Sequence, residues 1–412
     1  MNDLSPLIEK IRIKSKEILS EVISIRQTIH SNPELSFEEF ATSKLVCQKL
    51  EEYGIEYKKG WVKTGIVGLI KGQNPGKKTI ALRSELDALP IQENNNTKYQ
   101  SKNIGVMHAC GHDAHTACLL GVGKIFSQLK EEFEGTLMLI FQPGEEKLPG
   151  GASLMLKEGV FNEILPSKII AQHVTPQIEC GKVGFRSGMY MASADEIYIT
   201  VYGKGGHAAL PGFYNNPLLI ASKILLALNE EFMTDKILAH QKIGSNQELI
   251  PTVLAFGKII GNGATNVIPD KVSIEGTFRT LDENWRLRAH QIMKNTADEI
   301  AQSMSGTCDF NIVLGYPFLV NDPHTTENAK ELAQKYLGKE NVEALDLRMT
   351  SEDFAFFSQK IPACFYRLGT GNRGKNITSN VHTSTFDIDE KSLEIGVGLM
   401  ACIALQELQK ND

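Results

Sequence analysis

Ile197-Tyr198-Ile199-Thr200-Val201-Tyr202 is the stretch that decides how this chain is divided. Three β-branched apolar residues alternate with two tyrosines and a threonine, the period-two pattern of a strand with one face buried. Downstream, the sequence predicts a helix from Pro217 to about Glu231, strands at Thr252–Ile260 and Lys271–Thr280, a helix at about Asn284–Ser303 and a strand at Cys308–Gly315. The order β-α-β-β-α-β is ferredoxin-like and self-contained, so residues 190–316 are expected to form an α+β domain of their own.

On either side the rhythm differs. Leu7, Ile11, Ile18, Val22, Ile25 and Ile29 recur at helical spacing. Ser31-Asn32-Pro33 stops that helix, and a second is expected from about Ser36 to Tyr53. Short apolar runs at Gly65–Ile70, Thr79–Arg83, Thr136–Phe141 and Ile169–His173 then alternate with helical stretches at His115–Leu129 and Ser153–Glu158. Strands alternating with helices predict an α/β layer with helices on both faces. After Tyr316-Pro317 this character returns. Residues 1–189 and 317–412 therefore read as one α/β domain interrupted by the insertion at 190–316. Two domains also suit a chain of 412 residues, more than one hydrophobic core accommodates.

Lys+Arg 43 against Asp+Glu 49 leaves a net charge of −6, without the basic footprint that nucleic acid demands. Lys58-Lys59 and Lys77-Lys78 are short and read as solvated loops. No apolar run reaches the roughly 18 residues of a membrane span. Met-Asn-Asp-Leu-Ser-Pro lacks the basic-then-apolar order of a signal peptide. The seven cysteines are scattered, odd in number and free of C-x-x-C pairs. That argues against a disulfide framework and a thiolate zinc finger, and for a reducing, cytoplasmic setting.

Chemistry concentrates in Met107-His108-Ala109-Cys110-Gly111-His112-Asp113-Ala114-His115. Imidazole and thiolate suit zinc, cobalt or manganese, and Gly111 lets the backbone turn so that Cys110 and His112 face one point. The plainer alternative is a helix N-terminus capped by Asp113 with its histidines packed inside. Phe141-Gln142-Pro143-Gly144-Glu145-Glu146 follows a buried strand, where open α/β sheets carry their chemistry. One carboxylate there can bind metal while its neighbour moves protons; otherwise the pair is a solvated acidic loop. His173 closes an apolar run, and His382 sits in Asn380-Val381-His382-Thr383-Ser384. Asp87 follows a strand, in Glu85-Leu86-Asp87-Ala88-Leu89-Pro90, where it could orient a ligating imidazole. His240, His290 and His324 have no motif around them and read as surface residues.

In order, and over nearly the whole chain, these motifs resemble the zinc-peptidase-like amidohydrolases: aminoacylases, hippurate hydrolases, N-acetyl-diaminopimelate deacetylases and plant auxin-conjugate hydrolases. The resemblance also rests on His30-Ser31-Asn32-Pro33-Glu34-Leu35-Ser36, Gly203-Lys204-Gly205-Gly206-His207-Ala208-Ala209 and Asn266-Val267-Ile268-Pro269-Asp270. Gly276-Thr277-Phe278-Arg279, Ser351-Glu352-Asp353-Phe354 and His382…Phe386 complete it. It implies a zinc-peptidase-like catalytic domain with a central mixed sheet flanked by helices, and makes the inserted ferredoxin-like α+β domain a lid and dimerisation domain.

The same resemblance implies two divalent ions per subunit, zinc, manganese or cobalt. Cys110 would bridge them where related peptidases carry a carboxylate, with His112, Glu146, His173 and His382 as the other ligands. Glu145 would take a proton from the attacking water and pass it to the leaving amine. His207 would help hold the oxyanion. Asn266 and Arg279 would face the substrate, a guanidinium gripping a carboxylate in two bonds; a sheet-surface salt bridge is the equal alternative for Arg279. The sequence departs from the usual pattern at Ala114, Gly212 and Asn216, and at Gly144 within a Gln-Pro-Ala-Glu-Glu form. None of these is an implied ligand.

The reaction implied is hydrolysis of an N-acyl-L-amino acid to a carboxylic acid and an amino acid by a homodimer, with no nucleic-acid or membrane partner. A dipeptidase or aminopeptidase is the first alternative; no acidic residue can be assigned to its substrate's free amine. A non-catalytic metal-binding relative is the second, and the intact Glu145 and ligand set disfavour it. A zinc nucleoside deaminase lacks its Pro-Cys-x-x-Cys segment here, and a serine hydrolase its Gly-x-Ser-x-Gly elbow.

Overall fold

In chain order the first seven strands are β1 (Glu56–Trp61), β2 (Gly65–Lys71), β3 (Thr79–Glu85), β4 (Thr136–Gln142), β5 (Lys168–Glu179), β6 (Val183–Phe185) and β7 (Gly188–Met191). The next are β8 (Asp195–Tyr202), β9 (Gly206–His207), β10 (Thr252–Ile260), β11 (Val267–Ile268), β12 (Lys271–Thr280) and β13 (Thr307–Leu314). The last are β14 (Leu319–Asn321), β15 (Val342–Ala344) and β16 (Ala363–Gly371). The computed structural model describes residues 4–233 and 250–410. His240 lies outside the described residues.

The chain divides into two units. Unit 1 comprises Met1–Gly188, Val320–Asp346 and Asp353–Asp412. Its eight-stranded mixed sheet has the order β1-β2-β4-β3-β5-β16-β6-β15. At the centre, β4, β3, β5 and β16 run parallel. Every residue of β4 and of β16 is buried, as is nearly all of β3. Parallel strands are covered on both faces and so read as continuous apolar runs. Helices α1 (Ser5–Glu17), α2 (Leu19–His30), α3 (Phe40–Glu52), α4 (His112–Gln128) and the C-terminal helix Ser392–Gln409 share one apolar core with the sheet. Gly121 and Gly123 let α4 pack closely: a Cβ on Gly121 would lie 2.8 Å from Val397 Cγ2.

Three local expectations change. The long first helix is two, separated at Ile18. The next helix begins at Phe40 rather than Ser36, because Phe37 holds a left-handed backbone at φ 68° and the Glu34 carboxylate accepts from the N–H groups of Ala41 and Thr42 in the first helical turn. Lys58 and Lys59 lie on β1 rather than in a loop; as an edge strand it can carry charge that a central strand cannot.

Unit 2 comprises Met189–Leu319 and Leu347–Glu352. Its four-stranded sheet is antiparallel in the order β10-β12-β8-β13, the ferredoxin-like arrangement. Ile197, Ile199 and Val201 face its core with α6 (Pro217–Glu231) and helix Glu283–Ser303, while Tyr198 and Tyr202 are exposed. Leu347–Glu352 joins this unit through backbone bonds, Arg348 N–H to Tyr190 O and Ala192 N–H to Arg348 O. No helix among the described residues is long and apolar enough to cross a membrane.

Candidate metal centre

Gly111 precedes α4 with φ +83°, and a Cβ there would lie 2.3 Å from Val174 Cγ2. Only glycine makes this turn against β5 without strain. Of five groups of close ligand atoms among the described residues, two share Cys110. Cys110, His112 and His173 are one; Cys110, Glu146 and His382 are the other, and within each the ligand atoms lie within 4.8 Å of one another. Cys110 Sγ belongs to both, 3.4 Å from His173 Nε2 and 3.3 Å from His382 Nε2.

Each ligand atom has a sequence-local cause. Asp87 follows the C-terminal end of β3, and Glu145 and Glu146 follow that of β4. His173 lies within β5. His382 has φ 62° and is held by its N–H to Ala109 O at 2.7 Å. The ring orientations are set from behind. His173 Nδ1–H donates to Val174 O at 2.7 Å and His112 Nδ1–H to Asp87 O at 2.9 Å. With Nδ1 committed, Nε2 is the atom that each ring offers to a metal.

The residues fit a cation. His112 Nε2 is buried with no hydrogen-bond partner among the described residues, which costs about 1–3 kcal/mol if nothing else satisfies it, and Glu146 Oε1 lies 3.1 Å from His382 Nε2. Burial alone would lower the His112 pKa, but Asp87, Glu85 and Glu146 outweigh it and raise it to about 10. That measures how strongly this pocket attracts positive charge. Burial, with Arg367 nearby, holds the His173 ring neutral, as ligation requires.

Asp87 is buried and serves both groups. Its Oδ2 accepts from Glu146 N–H at 2.9 Å and Ser36 Oγ at 2.6 Å, and its Oδ1 lies 3.3 Å from His112 Nδ1. Glu145 sits beside the ligands: Oε2 is 4.0 Å from His112 Nε2, and Oε1 faces Asp353 N–H at 3.4 Å.

Two buried charge networks support this floor, and sequence reasoning did not assign them. In one, Asp353 accepts from Arg83, Gln142 and Ala152 N–H. Arg83 also pairs with Glu85, and Glu85 accepts from His115 Nδ1–H at 2.7 Å. His115 Nε2 in turn accepts from Val174 N–H, next to His173. In the other, Arg26 and His30 hold Asp113, and His30 also meets Glu93. The available signal was a charge inside an apolar strand, Arg83 and Glu85 on β3.

In unit 2, His207 is exposed on β9, which pairs with β11. Its Nδ1 accepts from Ala209 N–H at 3.1 Å, which leaves the ring proton on Nε2. Asn266 is exposed, its carbonyl taken by Ala208 N–H. Arg279 donates to Met349 O at 3.0 Å and contacts no carboxylate among the described residues; burial lowers its pKa. His290 is not a surface residue: it is buried, with Nε2 2.7 Å from Asp195 Oδ2. Its helical neighbours gave no hint, because the partner is 95 residues away. His324 is exposed.

Residues 81–406 match the model of peptidase family M20/M25/M40. The chain is 36% identical over 403 residues to thermostable carboxypeptidase 2 of Saccharolobus solfataricus, covering 97% of this chain and 98% of that protein. It is 37% identical to IAA-amino acid hydrolase ILR1-like 5 of Arabidopsis thaliana, covering 99% and 92%. A crystal structure described as a dinuclear metal binding peptidase of the M20 family from Bacillus subtilis superposes with a TM-score of 0.80 at 32% identity, covering 96% of this chain and all of that one. The chain therefore belongs to peptidase family M20/M25/M40 and is a metal-dependent hydrolase.

Proposed function

We propose that this chain is an amidohydrolase that cleaves N-acyl-L-amino acids to a carboxylic acid and an amino acid. The observation that carries the reading is Cys110 Sγ, common to two ligand groups with the Glu145 carboxylate alongside. His112 and His173 would hold one divalent ion with Cys110; Glu146 and His382 would hold the other. Zinc, manganese and cobalt all suit such a donor set. Bound there, the ions polarise the amide carbonyl and make water more acidic. Glu145 removes the proton from the attacking water and returns it to the leaving nitrogen. Asp87 keeps the His112 ring in place. His207, with its ring proton on Nε2, is the oxyanion donor that the resemblance implies.

Substrate class follows from Arg279 and Asn266. A half-buried guanidinium with no acidic neighbour among the described residues is suited to a substrate carboxylate. Relatives named carboxypeptidase and IAA-amino acid hydrolase are both served by a substrate whose amino acid carboxylate is free. The carboxypeptidase relatives also favour a second reading, a metallopeptidase acting on dipeptides.

The test is a panel of N-acetyl-, N-benzoyl- and longer N-acyl-amino acids alongside dipeptides, on chelator-stripped protein reloaded with zinc, manganese or cobalt. Metal-restored cleavage of the acyl compounds is expected. Cleavage of dipeptides alone would transfer the assignment to peptidase. Seven free cysteines fit a reducing cytoplasm.

We further propose a homodimer through unit 2. Its edge strands expose Ile259, Ile260 and Leu314, and α6 exposes Leu219 and Leu226. Sedimentation at micromolar concentration should give twice the chain mass, and Ile259→Lys should shift it toward monomer. A monomeric parent would remove the proposal.

A further inference from the structure

The loop that carries Glu145 is gripped from one side by a short segment between α2 and α3. Glu39 is fully buried there. Its Oε1 accepts from Gly144 N–H and from Phe37 N–H, both at 2.8 Å, and its Oε2 accepts from Thr64 Oγ at 2.6 Å. Phe37 occupies the space above Gly144: a Cβ on Gly144 would lie 2.3 Å from Phe37 Cε1 and 2.4 Å from Cζ. Gly144 is itself left-handed, with φ +59°. This accounts for glycine in a motif that ordinarily carries alanine, since an alanine methyl and the Phe37 ring cannot share that volume. Ser36 completes the segment by binding Asp87 Oδ2, the same oxygen that receives Glu146 N–H. The segment thus touches the loop directly at Gly144 and through Asp87 at Glu146, one residue to either side of Glu145.

We propose that Glu39, with Phe37 packed on Gly144, is a positioning residue that holds the Glu145 carboxylate in its working place. Glu39 bonds to Phe37, Thr64 and Gly144 rather than to the ligand atoms, and it acts through the Gly144 peptide. The assignment rests on Glu145 being the proton-transfer residue. Burial is costly for such a carboxyl and raises its pKa to about 7, Asp87 contributing. A residue kept there at that cost does work that an apolar one cannot, namely accepting two backbone N–H groups at once.

The experiment compares Glu39→Leu, Glu39→Gln and Thr64→Val, each metal-loaded, for kcat, KM, metal content and crystal structure. E39L removes both acceptor bonds at similar volume. It should lose roughly 100-fold in kcat, the scale of a 1 Å misplacement, with KM and metal content unchanged and Gly144–Glu146 displaced in the crystal. E39Q keeps an oxygen for both N–H groups and should stay within about threefold of the parent, the bonds being retained. T64V, which frees Oε2 and leaves the carboxylate, serves if E39L does not fold; its kcat should fall several-fold at constant KM. Equal losses in E39Q and E39L, an E39L structure with the loop in place, or a T64V effect confined to KM would overturn the proposal. E145Q assayed beside them separates the two readings. An active E145Q would remove Glu145 as the base, while the crystal structures would still decide whether Glu39 places the loop.

Discussion

Glu145 and Glu146 are neighbours in sequence with different surroundings. Glu146 has its N–H fixed by Asp87 and its Oε1 3.1 Å from His382 Nε2, in one group with Cys110. Glu145 keeps its carboxylate between His112 Nε2 and Asp353 N–H. Glu145→Gln preserves shape and removes the basic oxygen. The expected outcome is unchanged metal content by elemental analysis and a loss of about 10²–10⁴ in kcat, the usual worth of a general base. Retained turnover would remove Glu145 from that role. The identities of both residues were legible in Gln142–Glu146. The different surroundings of the two were not, because Asp87 follows β3 and Asp353 belongs to a segment more than 200 residues later.

At the level of elements, the turn into α4 matters most. Gly111 is left-handed and pressed against Val174 of β5, so Gly111→Ala meets both backbone strain and a collision. Left-handed backbone costs a non-glycine residue roughly 1–2 kcal/mol before any collision is counted. Urea denaturation should show a loss of at least about that size, and metal affinity should fall with it because Cys110 and His112 flank the turn. A variant that keeps both stability and metal affinity would show that the turn is not what aligns these ligands. Helix α4 was expected from His115 and begins at His112, so one candidate ligand lies in its first turn. Short apolar runs located β2, β3 and β4 within two residues, and β5 at its start but six residues short of its end. Missed were β1, whose exposed edge carries no alternation, the buried central strand β16, left within an unassigned α/β stretch after Pro317, and the three-residue strands β6 and β15, too short to show a period.

For the whole molecule, buried charge governs the response to acid. Burial alone would raise the carboxyl pKa values of Asp113, Glu85 and Asp195. Arg26 with His30, Arg83 with His115, and Arg286 with His290 outweigh burial and hold them below the usual range. A carboxyl depressed in the folded state contributes stability above its unfolded pKa of about 4 and loses it as pH falls through the folded value. Urea midpoints of chelator-stripped protein should therefore fall progressively below about pH 4. A midpoint that stays level from pH 5 to pH 3 would contradict this account of the networks.

What the sequence determined by itself was local chemistry and period. It placed the α/β class, the β-α-β-β-α-β order of residues 195–314, and the donor types in Cys110–His112, Glu145-Glu146, His173 and His382. These are legible because apolar repeat and ligand type are properties of neighbouring residues. Tertiary structure alone decided which atoms meet. It put Cys110 Sγ at the junction of two groups, and left His112 Nε2 without a hydrogen-bond partner among the described residues. It also joined Arg83 to Asp353 and Arg26 to Asp113 inside the core, and seated Glu39 under Gly144. A buried charge is tolerable only when its partner arrives from elsewhere in the chain. No pattern of neighbouring residues records where that partner comes from.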